Sequence, residues 1–177
     1  MRIGTLGLLS LLIGGCGSAA GGGHVTEEGR SVYTSDVIEI TLDDLGGGYR
    51  PPPPPGSQCT VGQAHYEVSV VERTLAWDYC RLQGQGGIYA SDTGSRSLND
   101  GDWTMLAPQL RQLVVDGHDG CGADKPEVEL VVTTAAGALT YGDGFYGCLE
   151  HNRNRPLIVT EGLSVVEATL SALASKN

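Results

Sequence analysis

The sequence has few cations. Of its 177 residues only 11 are lysine or arginine, against 21 aspartates and glutamates, and the formal net charge is −10. A nucleic-acid-binding protein needs a basic face that displaces the counterions of the phosphates, and this composition offers none. The same shortage disfavours charge-driven binding to anionic lipids. We therefore expect no nucleic-acid partner.

Enzyme motifs are also missing. The sequence contains no G-x-S-x-G elbow, no H-E-x-x-H pair, no P-loop and no S-x-x-K motif. Its cysteines form no C-x-x-C redox pair. A Ser-His-Asp arrangement can be assembled from any part of a chain, so the missing motifs favour a non-enzymatic domain and leave an enzyme as the alternative.

The first apolar run is too short to span a bilayer. After Arg2, the residues from Ile3 to Ile13 are uncharged and include five leucines. At a helical rise of about 1.5 Å per residue they would cover roughly 16 Å, about half of the ~30 Å hydrocarbon core. The run therefore predicts a secretory signal rather than a stable membrane anchor.

The run ends in the letters IGGC at residues 13–16. This motif resembles the lipobox of bacterial lipoproteins. The resemblance implies a signal peptide over residues 1–15, diacylglycerol on the Cys16 thiol and a fatty acid such as palmitate on the new amino terminus. It implies a cell-envelope protein held to the membrane, and Gly17 in place of aspartate favours the outer membrane over the inner one. The alternative is an ordinary secretory signal with Cys16 as a spare thiol.

Glycine and proline are frequent in residues 16–56, which we expect to be a tether. The letters GSAAGGG at residues 17–23 carry no side chain able to form a core. Pro51 to Pro55 favour polyproline II, a stiff spacer of roughly 15 Å. Alternating apolar residues at 36–43 predict a strand, which is either an edge strand of the domain or part of a stalk. The globular domain is then expected over residues 57–177.

Period-two patterns predict several strands in this domain. Residues 65–80 predict one long strand or a bent pair, and residues 86–98 a weaker edge strand. The segment 126–148 predicts a hairpin that turns at Ala135-Ala136-Gly137, and a short strand is expected at residues 157–159.

Two segments show helical periodicity. The first places Met105, Leu106, Leu110, Leu113 and Val114 on one face, with Asn99 or Asp100 as the cap and Pro108 tolerable only near the first turn. The second begins at a capping Thr160 and buries Leu163, Val166, Leu170 and Leu173. Strands, helix, hairpin and helix in this order predict an α+β fold, with an antiparallel sheet packed against two helices.

Five cysteines in an exported chain leave one unpaired, unless Cys16 is acylated. The four that then remain are Cys59, Cys80, Cys121 and Cys148. Three connectivities are possible, and we favour sequential pairing because Cys121 and Cys148 flank the predicted hairpin. Pairing Cys59 with Cys80 requires a bend near residues 72–74, since the ends of one straight strand lie too far apart.

The segment DGHDGCGAD at residues 116–124 concentrates potential ligands, with His118 and Cys121 in an H-x-x-C arrangement. It lacks a second cysteine at zinc-ligand spacing and does not follow the calcium-loop pattern. An acidic turn is the favoured interpretation, and we expect no metal and no cofactor. Tyr141 and Tyr146 would form a contact patch if both were exposed.

Two function hypotheses follow. The favoured one is a membrane-tethered, non-enzymatic domain that binds an envelope protein or has a structural role, with a secreted-type protease inhibitor as one variant. The alternative is a small envelope hydrolase, in which Asp116, His118 and Asp119 would be the first suspects.

Overall fold

A computed structural model of the chain describes residues 28–46, 52–84, 87–117, 120–122, 125–152 and 154–176. The lipobox with Cys16 and residues 17–27 and 47–51 of the expected tether therefore lie outside the described residues. So do Pro51 of the proline run and His118, Asp119 and Asp124 of the segment at residues 116–124.

The described residues form eight strands and two helices. The strands are β1 (Val37–Gly46), β2 (Ala64–Ser69), β3 (Thr74–Gln83), β4 (Ile88–Ser97), β5 (Val115–Asp116), β6 (Glu127–Thr134), β7 (Gly137–Asp143) and β8 (Leu157–Ile158). The helices are α1 (Asp100–Leu110) and α2 (Thr160–Ala174), and a 3-10 turn spans Gly144–Tyr146.

All eight strands belong to one sheet in the order β4-β3-β2-β1-β6-β7-β8-β5. The neighbouring strands are antiparallel except β7 and β8, which run parallel. The α+β class and the two helices are thus confirmed, whereas an entirely antiparallel sheet was the wrong expectation. The chain leaves β7 through the 3-10 turn and enters β8 in the same direction as β7, after residues 147–152 and 154–156.

Strand β1 lies at the centre of the sheet, between β2 and β6. Residues 36–43 were expected in a tether or at an edge, and both expectations are wrong. Ile40 and Leu42 are fully buried, because they face the helices and have strands on both sides. The segment before β1 also joins the fold, since the backbone N–H of Val32 donates to the carbonyl of Leu113 at 2.9 Å. The folded domain therefore begins well before residue 57.

The core lies between one face of the sheet and both helices. Its fully buried side chains include Ile40, Leu42, Val68, Leu75 and Leu130 from the sheet, and Leu106, Leu110, Leu163, Val166, Leu170 and Leu173 from the helices. Full burial of each such side chain stabilises the fold by about 1.5–3 kcal/mol relative to exposure. The expected buried face of α2 is confirmed. Neither α1 nor α2, the two helices of the described segments, has the length and apolarity needed to cross a bilayer.

The structure confirms the cap of α1 and corrects three other expectations for this helix. Asn99 caps α1 as predicted, and its side chain accepts a hydrogen bond from the Asp102 N–H at 2.9 Å. Pro108 lies near the end of α1 rather than in its first turn, where it removes only one backbone donor shortly before the helix stops. Met105 is exposed, and α1 ends before Val114.

Thr160 does not cap α2. The cap is Val159, which makes no side-chain capping bond. The Thr160 hydroxyl instead donates to the buried carboxylate of Asp143, and it accepts the Phe145 N–H at 3.0 Å.

Both favoured disulfides are present. Cys59 pairs with Cys80 and Cys121 with Cys148, at Cα–Cα distances of 5.7 and 5.1 Å. The bend that the first pair requires lies at residues 70–73, between β2 and β3, where Arg73 has a left-handed φ of 52°. The region of residues 65–80 is therefore a bent pair of strands, not one long strand.

Candidate functional site: a groove on the open face of the sheet

The sheet face that points away from the helices is acidic, and we call it the open face. Residues paired across strands share a face, so the side chains that alternate with the buried core residues must point to the open face. The strand carboxylates on it include Glu39, Asp43, Glu67, Asp78, Glu127 and Glu129. No lysine or arginine of the described strands points the same way, because Arg81 and Arg96 alternate onto the helix face. Arg155, which precedes β8, pairs with Glu129 on the open face.

Four titratable side chains form a row across the open face. Asp43 lies opposite Glu129 on one side and His65 on the other, and His65 lies opposite Asp78. The Nδ1 atom of His65 lies 2.6 Å from Oδ1 of Asp43, with the imidazole 46% exposed and the carboxylate 28% exposed. Strands hold this row in place, so its geometry is set by backbone register rather than by a mobile loop.

A loop bound to the sheet turns part of this row into a groove. The Cys59–Cys80 disulfide ties the loop to β3, and the Cys80 N–H donates to the Gln63 carbonyl at 3.0 Å. The Gln58 N–H donates to the Tyr89 carbonyl on β4 at 2.8 Å. The resulting groove has a volume of about 450 Å³, within the size range of small-ligand sites.

The groove offers mainly hydrogen-bond acceptors. It is lined by Asp43, His65, Asp78 and Ser91 on the sheet and by Gln58 and Gln63 on the loop. The Ser91 hydroxyl donates to the Asp78 carboxylate, so the oxygen lone pairs of the carboxylates dominate the floor. The arrangement fits a ligand with positive charge and several N–H donors.

The groove does not contain a nucleophile paired with a base. Ser91 on β4 and His65 on β2 are separated by β3, which places their backbones about 9–10 Å apart at the usual strand spacing. Ser91 uses its hydroxyl on Asp78, and His65 lies against Asp43. Among the described residues, no group of three or more histidine, cysteine, aspartate or glutamate side chains is arranged to hold a metal ion.

A second carboxyl pair lies at the end of β1 and faces the helices. Asp44, next to Asp43, is only 7% exposed, and Glu167 on α2 makes a side-chain hydrogen bond with it. Burial, and then the charge and hydrogen bond of Asp44, raise the pKa of Glu167 from 4.5 to about 7. Burial also raises the pKa of Tyr66, whose hydroxyl bonds with Ser171. Glu167 is therefore ionised less readily in the folded protein than in the unfolded chain.

The residues that the sequence singled out are dispersed. Asp116 lies at the end of β5 beside Gly144, while His118 and Asp119 lie outside the described residues. His151, on the segment between the 3-10 turn and β8, lies against Glu127. Cys121 is in a disulfide.

Tyr141 and Tyr146 do not form a contact patch. They are 5% and 6% exposed, so both belong to the protein interior. The Tyr146 hydroxyl donates to the Lys125 carbonyl, which satisfies its polar end.

Sequence reasoning missed the groove. The alternating letters of residues 37–44 and 64–69 show which side chains share a face within each strand. They do not show that Asp43, His65 and Asp78 become neighbours, because that depends on the register of three strands and on the position of the Cys59 loop.

The candidate site is thus an acidic floor on rigid strands, a wall held by a disulfide, and an imidazole next to a carboxylate. The description of this site rests only on the geometry of this chain. No family model, characterised protein or solved structure matches the chain.

Proposed function

We propose that this protein is a lipid-anchored, non-enzymatic binding domain of the bacterial cell envelope, and that its groove recognises a positively charged segment of an envelope partner. The observation that carries the proposal is the groove itself, with carboxylates on its floor and no basic strand residue on the same face. The lipid anchor at Cys16 is inferred from the lipobox resemblance, in which Gly17 favours the outer membrane over the inner one.

The groove supports recognition of an arginine or lysine side chain. Asp43 and Asp78 flank His65 from the neighbouring strands, so a cation entering the groove meets carboxylates from both sides. A guanidinium group can donate to two carboxylate oxygens at once, which adds geometric specificity to charge attraction. Partly exposed ion pairs are individually worth only about 0.2–1 kcal/mol, so we expect moderate affinity that weakens with salt.

The groove gives no comparable support to hydrolysis. A serine hydrolase needs its hydroxyl next to a base, whereas Ser91 bonds with Asp78. The hydrolase hypothesis that names Asp116, His118 and Asp119 remains the alternative, and no contact among the described residues favours it.

The binding proposal can be tested with defined peptides. We would titrate the soluble Cys16→Ser chain against a fluorescent arginine-rich octapeptide and an aspartate-rich control, using anisotropy at low and high salt. We expect binding of the cationic peptide only, weakening at high salt. Asp43→Asn with Asp78→Asn should weaken this binding about tenfold or more, as expected when several partly exposed ion pairs are lost together.

A matched control separates the groove from net charge. Glu72→Gln with Glu161→Gln changes the total charge equally but lies on an exposed turn and at the start of α2. The control should retain the wild-type affinity within about twofold, because neither side chain lines the groove. Equal weakening by both double variants, or no binding to the wild type, would contradict the proposal.

A further inference from the structure

The two edges of the sheet differ. The β5 edge is only two residues long and is covered by the chain before β1, since the Val115 N–H donates to the Arg30 carbonyl and the Gly29 N–H donates to the Val115 carbonyl, both at 2.9 Å. The β4 edge is ten residues long, and in the described part of the chain β4 pairs only with β3. An edge of this length is a template for another strand.

The outward-facing backbone groups of β4 follow from one observed contact. Tyr89 faces away from β3, because its N–H donates to the Ser57 hydroxyl and its carbonyl accepts the Gln58 N–H. In an antiparallel ladder, every second residue points its N–H and C=O to the same side. Ser91, Thr93 and Ser95 therefore present their backbone donors and acceptors at the open edge.

Strand β4 carries few of the features that block pairing at edges. It contains no proline and no lysine, and its register with β3 continues without a bulge from Ile88 to Ser97. Ser91, Thr93 and Ser95, whose backbone groups face outward, carry small hydroxyl side chains. These features leave the edge accessible to an extended segment.

We propose that β4 pairs antiparallel with β4 of a second copy of this chain, with Gly94 opposite Gly94 at the two-fold axis. Asp92 and Arg96 lie two residues to either side of Gly94, both on the helix face of the sheet. This register therefore places Asp92 of each copy opposite Arg96 of the other. Centring the pair on Asp92 or on Arg96 would instead place like charges opposite each other, which is destabilising.

The structure holds these charged groups in position before pairing. Arg96 lies 2.6 Å from the Asp102 carboxylate, and Asp92 lies 2.8 Å from Arg81. Their side chains are already ordered, so pairing orders little additional chain. Gly94 has no side chain on the axis, where the Trp77 indole occupies the space that a Cβ would fill.

Self-pairing has a salt dependence opposite to that of the groove. Each copy carries a formal charge of −10, so two copies repel each other at long range. Salt screens this repulsion and should strengthen self-association, whereas it should weaken the binding of a cationic peptide. Failure of the edge pairing can therefore be distinguished from failure of the groove proposal.

The test is sedimentation velocity of the soluble Cys16→Ser chain from micromolar to near-millimolar concentration. We expect a reversible monomer–dimer equilibrium that strengthens with salt. Thr93→Pro should lower the association constant at least tenfold, because it removes an outward N–H from each copy and inserts a ring at the edge. It should leave the pairing with β3 intact, since that N–H does not face β3. Thr93→Val, which keeps the N–H, should remain within about twofold of the wild type.

A second measurement covers the case in which Thr93→Pro does not fold. Residue-resolved amide exchange of the wild type should slow at Ser91, Thr93 and Ser95 as the concentration rises. A monomer at all concentrations would overturn the proposal. So would a dimer whose formation leaves these three amides unchanged, or one that forms only at low salt.

Discussion

The carboxyl pair between β1 and α2 makes stability depend on pH. Glu167 bonds with Asp44, and burial followed by the Asp44 interactions raises the pKa of Glu167 from 4.5 to about 7. The folded protein therefore keeps a proton that the unfolded chain releases above pH 4.5. The free energy of unfolding should fall as the pH rises from 4.5 to about 7 and then level off.

Glu167→Gln removes this ionisation and keeps the shape of the side chain. The full pKa shift would correspond to about 3 kcal/mol, which is a ceiling. Because Glu167 is only partly buried, solvent screens its charge, and we expect about 1–2 kcal/mol. The variant should be more stable than the wild type by this amount at pH 8. The difference should vanish below pH 4.5, where the Glu167 carboxyl is protonated in the folded and the unfolded wild-type chain alike.

Urea unfolding followed by tryptophan fluorescence at a series of pH values measures the difference directly. Glu72→Gln, on an exposed turn, is the matched control and should change the unfolding midpoint little at any pH. A Glu167→Gln variant that is less stable than the wild type at pH 8, or a difference that does not change with pH, would refute the reasoning.

Two further predictions concern contacts of β4, one with Asp102 of α1 and one with Trp77 of β3. Asp102→Asn should lower the free energy of unfolding by about 2 kcal/mol in urea melts, because it leaves Arg96 and Lys176 without their buried carboxylate. The hydrogen bond from Lys176 lowers the pKa of Asp102, so this difference should shrink as the pH falls below 3.8. Gly94→Ala should cost about 1–3 kcal/mol by thermal unfolding, because its Cβ would overlap the Trp77 indole. Wild-type stability of Asp102→Asn would contradict the role of the Asp102 ion pairs. Wild-type stability of Gly94→Ala would contradict the close packing of Trp77 on Gly94.

Local patterns in the sequence predicted the elements that depend on neighbouring residues. The β6–β7 hairpin turns at Ala135 and Ala136 as expected, and α2 buries the expected leucines. The disulfide pairing also followed from a local argument, since Cys121 and Cys148 flank that hairpin. In each case, residues close in the chain determine the geometry.

Features that depend on distant residues were not predictable in this way. The alternation in β1 indicated a strand, but its central position depends on pairing with β6, which lies some ninety residues later in the chain. The Asp43–His65–Asp78 row was not predictable for the same reason, because it depends on the register of three strands. The placement of Asp44 against Glu167 depends on how α2 packs, which no local pattern determines.

The proposal of a lipid-anchored domain is tested most directly by the intact mass of the protein extracted from the membranes of producing cells, with and without reduction. The account predicts a chain that begins at Cys16 and is heavier by a diacylglyceryl group and an amino-terminal acyl group. Reduction should add about four hydrogens, because the two disulfides leave Cys16 as the only other cysteine. A soluble chain without lipid, with Cys16 free or in a disulfide, would contradict the anchor and the localisation.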